Sequence, residues 1–116
     1  MRATRLAAIV ARSLGEVTAE RAKVTRLLLR GSPDLMCSNI MCGSFGGGCA
    51  CRLALALSRA PALEEIDVRD SALPTLPLEA LEALPSLKRV RAEGNALSES
   101  ARAALAASRI ADIVDI

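Results

Sequence analysis

The residues of this chain best suited to chemistry are its four cysteines, which fall within one short stretch. They are Cys37, Cys42, Cys49 and Cys51, spaced C-x4-C-x6-C-x-C. Four thiolates can complete the tetrahedral shell of zinc or hold an iron–sulfur cluster, although this spacing matches none of the standard patterns. The same cysteines could instead form one or two disulfides in an oxidising compartment. A third interpretation is free thiols in a loop that orders against a partner.

The stretch from 36 to 51 also carries the candidate partner contacts. It contains the single phenylalanine of the chain and four of its seven glycines. Aromatic and methionine side chains are enriched at protein interfaces. We therefore predict partner binding through four apolar residues of this stretch: Met36, Ile40, Met41 and Phe45.

The sequence offers little for catalysis. Without any histidine, Ser–His and Cys–His nucleophile pairs are excluded. The glycine run 43–48 is not followed by the Lys-Ser/Thr of a phosphate-binding loop. Glu64, Glu65 and Asp67 could form an acid–base pair, but nearby Lys88 and Arg89 make charge pairing the better explanation. We predict that the chain is not an enzyme and needs no cofactor, with zinc or iron–sulfur binding as the alternative.

The elements that position these residues repeat along the chain. Leu57, Leu81 and Leu105 are spaced 24 residues apart, and other apolar positions keep the same step. A fixed period of 20–29 residues is typical of a solenoid, in which each unit buries its apolar side against its neighbours. The period favours a binding protein over an enzyme but does not identify the partner.

Two copies share a recognisable pattern. Residues 63–73 read LxxLxLxxSxL and residues 87–97 read LxxVxAxxNxL, with partial copies at 24–32 and 111–116. This pattern resembles the leucine-rich repeat family over residues 24–116, in about three and a half repeats. The resemblance implies an α/β solenoid, with short parallel strands on one side and short helices on the other. It also implies protein binding through the sheet face or its loops.

Local patterns agree with this architecture. Leu78, Leu81 and Leu84 have helical spacing, and residues 101–107 form a similar alanine-rich segment. Pro61 and Pro85 are expected to end the helices before the next strand. Each predicted strand is followed by a polar side chain that can form hydrogen bonds with the backbone of the turn. These residues are Ser32, Ser71 and Asn95.

Charged residues occupy the outward strand positions, and their sign alternates from strand to strand. Reading across the copies, Arg26 faces Glu65 and then Arg89, while Glu64 faces Lys88. Neighbouring strands lie about 4.8 Å apart, so opposite charges are expected to pair. The charges of such a face cancel one another. The face suits a nucleic acid poorly, since a polyanion binds to a surface of continuous positive charge.

The N-terminal residues 1–23 form a second segment. They contain no acidic residue before Glu16, and residues 1–30 hold seven basic and two acidic residues. We predict a basic amphipathic helix that is either a mitochondrial targeting segment or a cap of the solenoid. A further alternative is RNA binding through the arginines of this segment; they are Arg2, Arg5, Arg12 and Arg21.

The domain at 24–116 is interrupted by the Cys/Gly-rich insertion at about 36–51 and contains no apolar run near the ~18 residues of a membrane span. Its last strand is expected to present an open edge that another subunit covers. The predicted contacts at this edge are Asp112, Ile113, Asp115 and Ile116. We therefore expect an interaction or structural subunit of a larger multi-protein assembly, in mitochondria or otherwise in the cytoplasm.

Overall fold

Five short strands form one sheet in which every strand lies parallel to, and beside, the next strand in the sequence. The computed structural model describes residues 9–31, 33–36 and 48–116. The strands are β1 (Ile9–Ala11), β2 (Val24–Leu28), β3 (Glu65–Asp67), β4 (Arg89–Arg91) and β5 (Val114–Asp115). The α/β class predicted from the sequence is therefore confirmed.

A helix lies in each connection between consecutive strands. The α-helices are α1 (Leu14–Glu20), α2 (Ala50–Ser58), α3 (Leu78–Glu82) and α4 (Glu99–Ala106). Short 3-10 helices occupy Arg21–Lys23, Pro33–Leu35 and Ala111–Ile113. Helices α2 and α3 each end before the proline that was expected to stop them. None of the described helices could cross a bilayer, since the longest, α2, has nine residues and a span needs about 20.

The 24-residue step of the sequence is the pairing register of β3, β4 and β5, whereas β2 pairs with β3 through Leu27 and Ile66. Ile66 pairs with Val90, and Val90 pairs with Val114. All three side chains are buried, as are the three leucines that repeat with the same step on the helices. Strand alternation thus sends one set of apolar residues into the core between sheet and helices. Fully burying each such side chain stabilises the fold by about 1.5–3 kcal/mol.

The turns after β3 and β4 are held by side chains, as the sequence predicted. The Oδ1 atom of Asn95 accepts hydrogen bonds from the N–H groups of Ser71 and Leu73, both at 3.0 Å. Its Nδ2 atom donates to the carbonyl oxygens of Val68 and Ala92, both at 2.9 Å. The hydroxyl of Ser71 donates to backbone oxygens in the same way. Ser32, predicted to play the same part, lies outside the described residues.

The N-terminal prediction was wrong over Ile9–Ala11, which form a strand and not part of a helix. The β-branched side chains of Ile9 and Val10 suit a strand, and Ile9 pairs with Val24 of β2. The helix begins only at Leu14, because the Ser13 hydroxyl caps it by accepting from the N–H of Glu16 at 3.1 Å. The described part of residues 1–23 therefore belongs to the sheet and its first connection.

Candidate functional site

The Cys/Gly-rich insertion leaves and rejoins the described structure at one point. Met36 and Gly48 form an antiparallel bridge. The N–H of Cys49 donates to the carbonyl oxygen of Leu35 at 2.7 Å. Met36, one of the predicted partner contacts, is 47% exposed. The remaining predicted contacts of the insertion lie outside the described residues; they are Ile40, Met41 and Phe45.

Gly48 is required at this base by the approach of two backbones. Its N–H donates to the carbonyl oxygen of Ala72 at 3.2 Å. A Cβ atom there would lie 2.3 Å from the carbonyl oxygen of Ser71 and 2.9 Å from that of Ala72. Since both obstacles are backbone atoms, any side chain at position 48 would push the insertion away from the turn after β3. The insertion is therefore anchored at the carboxyl end of β3.

The two described cysteines have different surroundings. Cys49 is buried and Cys51 is exposed, and both are free. Positions two residues apart at the start of a helix do not face each other, so the two thiols do not converge. The described residues contain no group of three or more His, Cys, Asp or Glu side chains placed to hold a metal ion. Cys37 and Cys42 lie outside the described residues, so metal binding by all four cysteines stays a prediction.

Charged residues cover the side of the sheet opposite the helices, which we call the charged face: Arg26, Glu64, Glu65, Asp67, Lys88, Arg89, Arg91 and Asp115. Ion pairs join its neighbouring strands, as the alternating signs predicted. Arg26 lies 2.9 Å from Glu65, and Lys88 lies 3.1 Å from Glu64. Arg89 lies opposite Glu65 in the strand register, as expected, but its side chain forms its ion pair with Asp115, at 3.2 Å. These side chains remain at least 40% exposed, so each pair stabilises the fold by only about 0.2–1 kcal/mol.

Asp67 is the buried carboxylate of this face, and Arg69 holds it. The guanidinium of Arg69 donates to both carboxylate oxygens, at 3.0 and 2.8 Å, and the Arg69 N–H donates at 3.1 Å. Hydrogen bonding by Arg69 lowers the pKa of Asp67 despite its burial. Arg69, which lies in the turn beyond β3, was not predicted from the sequence to be the partner of Asp67. The available signal was the two-residue spacing, which puts both side chains on one side of an extended chain.

Two polar atoms near the Asp67–Arg69 pair have no hydrogen-bond partner among the described residues, although their residues interact electrostatically with that pair. The Nε atom of Arg91 and the Oε1 atom of Glu93 are both buried and have no hydrogen-bond partner. Arg91 borders a depression of about 280 Å³ on the charged face. Its lining residues are Arg26, Leu28, Glu65, Ile66, Asp67, Arg89 and Arg91. The depression therefore combines both signs of charge with a small apolar floor.

The predicted edge contacts are split between surface and core. Asp112 and Ile116 are exposed, Ile116 by 46%. Ile113 is partly buried and packs against the core, and Asp115 is engaged by Arg89. Asp112 and Ile116, which flank β5, are therefore the two predicted edge contacts that are exposed to a partner.

Comparisons with known proteins add no further constraint. No protein-family model matches the chain, and neither a curated protein nor a solved structure is significantly similar to it. The function must therefore be inferred from the charged face, the base of the insertion and the β5 edge.

Proposed function

We propose that this chain is a short leucine-rich-repeat solenoid that binds another protein, as a non-catalytic subunit of a larger assembly. The sequential order of the parallel strands, the 24-residue register of β3, β4 and β5 and the helix in every connection support the solenoid assignment. So does Asn95, which bonds to the backbone of two consecutive turns. Each is what stacked copies of one unit require. A mitochondrial location is part of the proposal and rests on the basic N-terminal sequence alone.

The observation that carries the binding proposal is the mixed charge of the charged face. Carboxylates and cations alternate across β2, β3, β4 and β5 and are joined by ion pairs. A polyanion would meet carboxylates at every second strand, so nucleic acid does not suit this face. A protein surface presents both signs at short spacing and can match such a pattern. Met36 at the base of the insertion and the β5 edge extend the proposed binding surface.

Site-specific photo-crosslinking in cells tests the proposal. One variant carries a photoreactive amino acid at Lys88, whose side chain is 72% exposed on the charged face. The matched control carries it at Arg102, which is exposed on the helical side of the molecule. We expect discrete protein adducts from position 88 and none from position 102. Adducts to RNA, equal adducts from both positions, or no adducts would contradict the proposal.

A further inference from the structure

The two outer edges of the sheet leave backbone hydrogen-bonding groups without a neighbouring strand. Among the described residues, β1 pairs only with β2, and β5 pairs only with β4. Each outer edge therefore presents N–H and C=O groups that another strand can bind. Ile116, which directly follows β5, is 46% exposed, whereas Val68 and Ala92, which directly follow β3 and β4, are buried. The β5 edge thus leaves apolar surface uncovered as well as backbone groups.

The registers of the sheet show what each edge presents to a neighbour. One buried row crosses all five strands, and its end members are Ala11 of β1 and Val114 of β5. One position further along the chain lie Arg12 and Asp115. Beside the β1 edge of a second, parallel copy, the β5 edge therefore meets an apolar residue with an apolar residue and a cation with an anion.

Both of these charged residues can form a further bond. Arg12 is exposed, and its guanidinium forms no ion pair with any residue that the structure describes. Its backbone N–H donates to Glu16 at 3.4 Å. The side chain of Asp115 is 47% exposed and accepts from Arg89 through its Oδ2 atom. Because an ionised carboxylate has about four lone-pair sites, the Oδ1 atom of Asp115 can accept from a second cation.

We propose that the β5 edge of one copy of this chain binds the β1 edge of a second copy, with the two strands parallel. Arg12 of one copy then donates to Asp115 of the next, and Ala11 lies beside Val114, so the rows of the sheet continue across the contact. Such a head-to-tail contact leaves one edge open at each end and therefore builds chains of copies, or a ring where the rotation closes. This inference rests on the proposed function and specifies the partner at the β5 edge.

Charge selects this arrangement over contacts between like edges. Residues 112–116 contain two acids, Asp112 and Asp115, and no base. A two-fold contact between β5 edges would gather four carboxylates in one short interface, and like charges on neighbouring strands are destabilising. A two-fold contact between β1 edges would bring two copies of Arg12 together, since residues 9–12 contain no acid. The head-to-tail contact opposes charges of unlike sign.

Sedimentation velocity of the full chain tests the inference through charge reversal. Strands this short make a small interface, so we expect weak association, visible between about 0.1 and 1 mM protein. Arg12→Glu and Asp115→Lys should each weaken association at least about threefold. An equimolar mixture of the two variants should regain it, because the lysine of one variant then faces the glutamate of the other. The unmodified residues of the two variants face each other at the next contact.

The matched control is Arg102→Glu, a reversal at an exposed position of α4, which should leave association unchanged. The thermal unfolding midpoint shows whether each variant is folded. Monomers at every concentration of the unmodified chain would overturn the inference. A mixture that associates no better than the single variants, or an equal loss of association in Arg102→Glu, would also overturn it.

Photo-crosslinking of the purified chain at about 1 mM gives a second measurement that needs no charge reversal. It remains decisive where Asp115→Lys unfolds through loss of the pair with Arg89. A photoreactive amino acid at Ile116 should form adducts between copies that mass spectrometry maps to residues 9–14. Adducts to residues 112–116 would show a two-fold contact and overturn the inference, as would the absence of adducts between copies.

The proposed function is tested separately, from position 88. Adducts from Lys88 to other proteins, together with a purified chain that stays monomeric, would overturn this inference and leave the proposed function standing. No adducts from Lys88, in a chain that associates as described, would contradict the proposed function and leave the contact between copies standing.

Discussion

Replacing Asn95 by Ala removes the side chain that ties two turns of the sheet together. Four hydrogen bonds of 2.9–3.0 Å disappear, two accepted by Oδ1 and two donated by Nδ2. Each contributes about 0.5–1.5 kcal/mol net to stability. Because Asn95 is only half-buried, water will recover part of this. We expect a loss of about 2–4 kcal/mol, against a total stability of roughly 5–15 kcal/mol for a small domain.

Urea unfolding monitored by circular dichroism at pH 7 measures this loss. The matched control is Ala104→Ser, an exposed position on α4, which should change the free energy of unfolding by less than about 0.5 kcal/mol. The slope of the unfolding free energy with urea should stay the same in both variants, since the folded surface is unchanged. If Asn95→Ala is no less stable than Ala104→Ser, the turns are not held by this side chain and the reasoning fails.

Three further changes have expected outcomes. Gly48→Ala should destabilise the protein by about 1–3 kcal/mol, since its Cβ meets backbone oxygen at 2.3 Å. Gly15→Ala in exposed α1 should stabilise it slightly; similar urea midpoints for the two variants would contradict the argument. Asp67→Asn should lower the unfolding midpoint at pH 7. Because the pKa of Asp67 is lowered in the folded state, the stabilisation that Asp67 provides is present above about pH 3.9 and is lost as the pH falls through the folded pKa. A difference in stability between the unmodified chain and Asp67→Asn that stays constant from pH 3 to pH 7 would refute this reasoning. Under native conditions, a pulse of maleimide analysed by mass spectrometry should label exposed Cys51 and spare buried Cys49. Equal labelling of the two cysteines, or protection of Cys51 by added zinc, would contradict the surroundings described for these two thiols.

Repetition made the register of the sheet readable from the sequence. Ile66, Val90 and Val114 occupy one row because the same local pattern recurs with a fixed step. The copies at β3, β4 and β5 find their neighbours at the same distance along the chain, so their pairing follows from local sequence. The role of Asn95 was readable for a related reason, since a short polar side chain at a strand exit bonds to nearby turn backbone.

Features that depend on distant contacts or on side-chain reach were not readable. Within the N-terminal sequence alone, Ile9 and Val10 have the spacing of one helical face. They form a strand because they pair with β2. The two-residue spacing made Arg69 a candidate partner of Asp67, but the choice of Arg69 over Arg91 depended on how its long guanidinium folds back over its own strand. That choice left the Nε atom of Arg91 without a hydrogen-bond partner among the described residues, which no pattern of residue types revealed.

A charge swap across β2 and β3 tests binding by the charged face most directly. The double variant Arg26→Glu, Glu65→Arg restores an ion pair where the 2.9 Å pair now lies but reverses the sign that a partner meets. The measurement is the yield of photo-crosslinked adduct from position 88, together with the thermal unfolding midpoint. We predict an unchanged midpoint and loss of the adduct. An adduct of equal yield in a chain that is equally stable would contradict binding through this face.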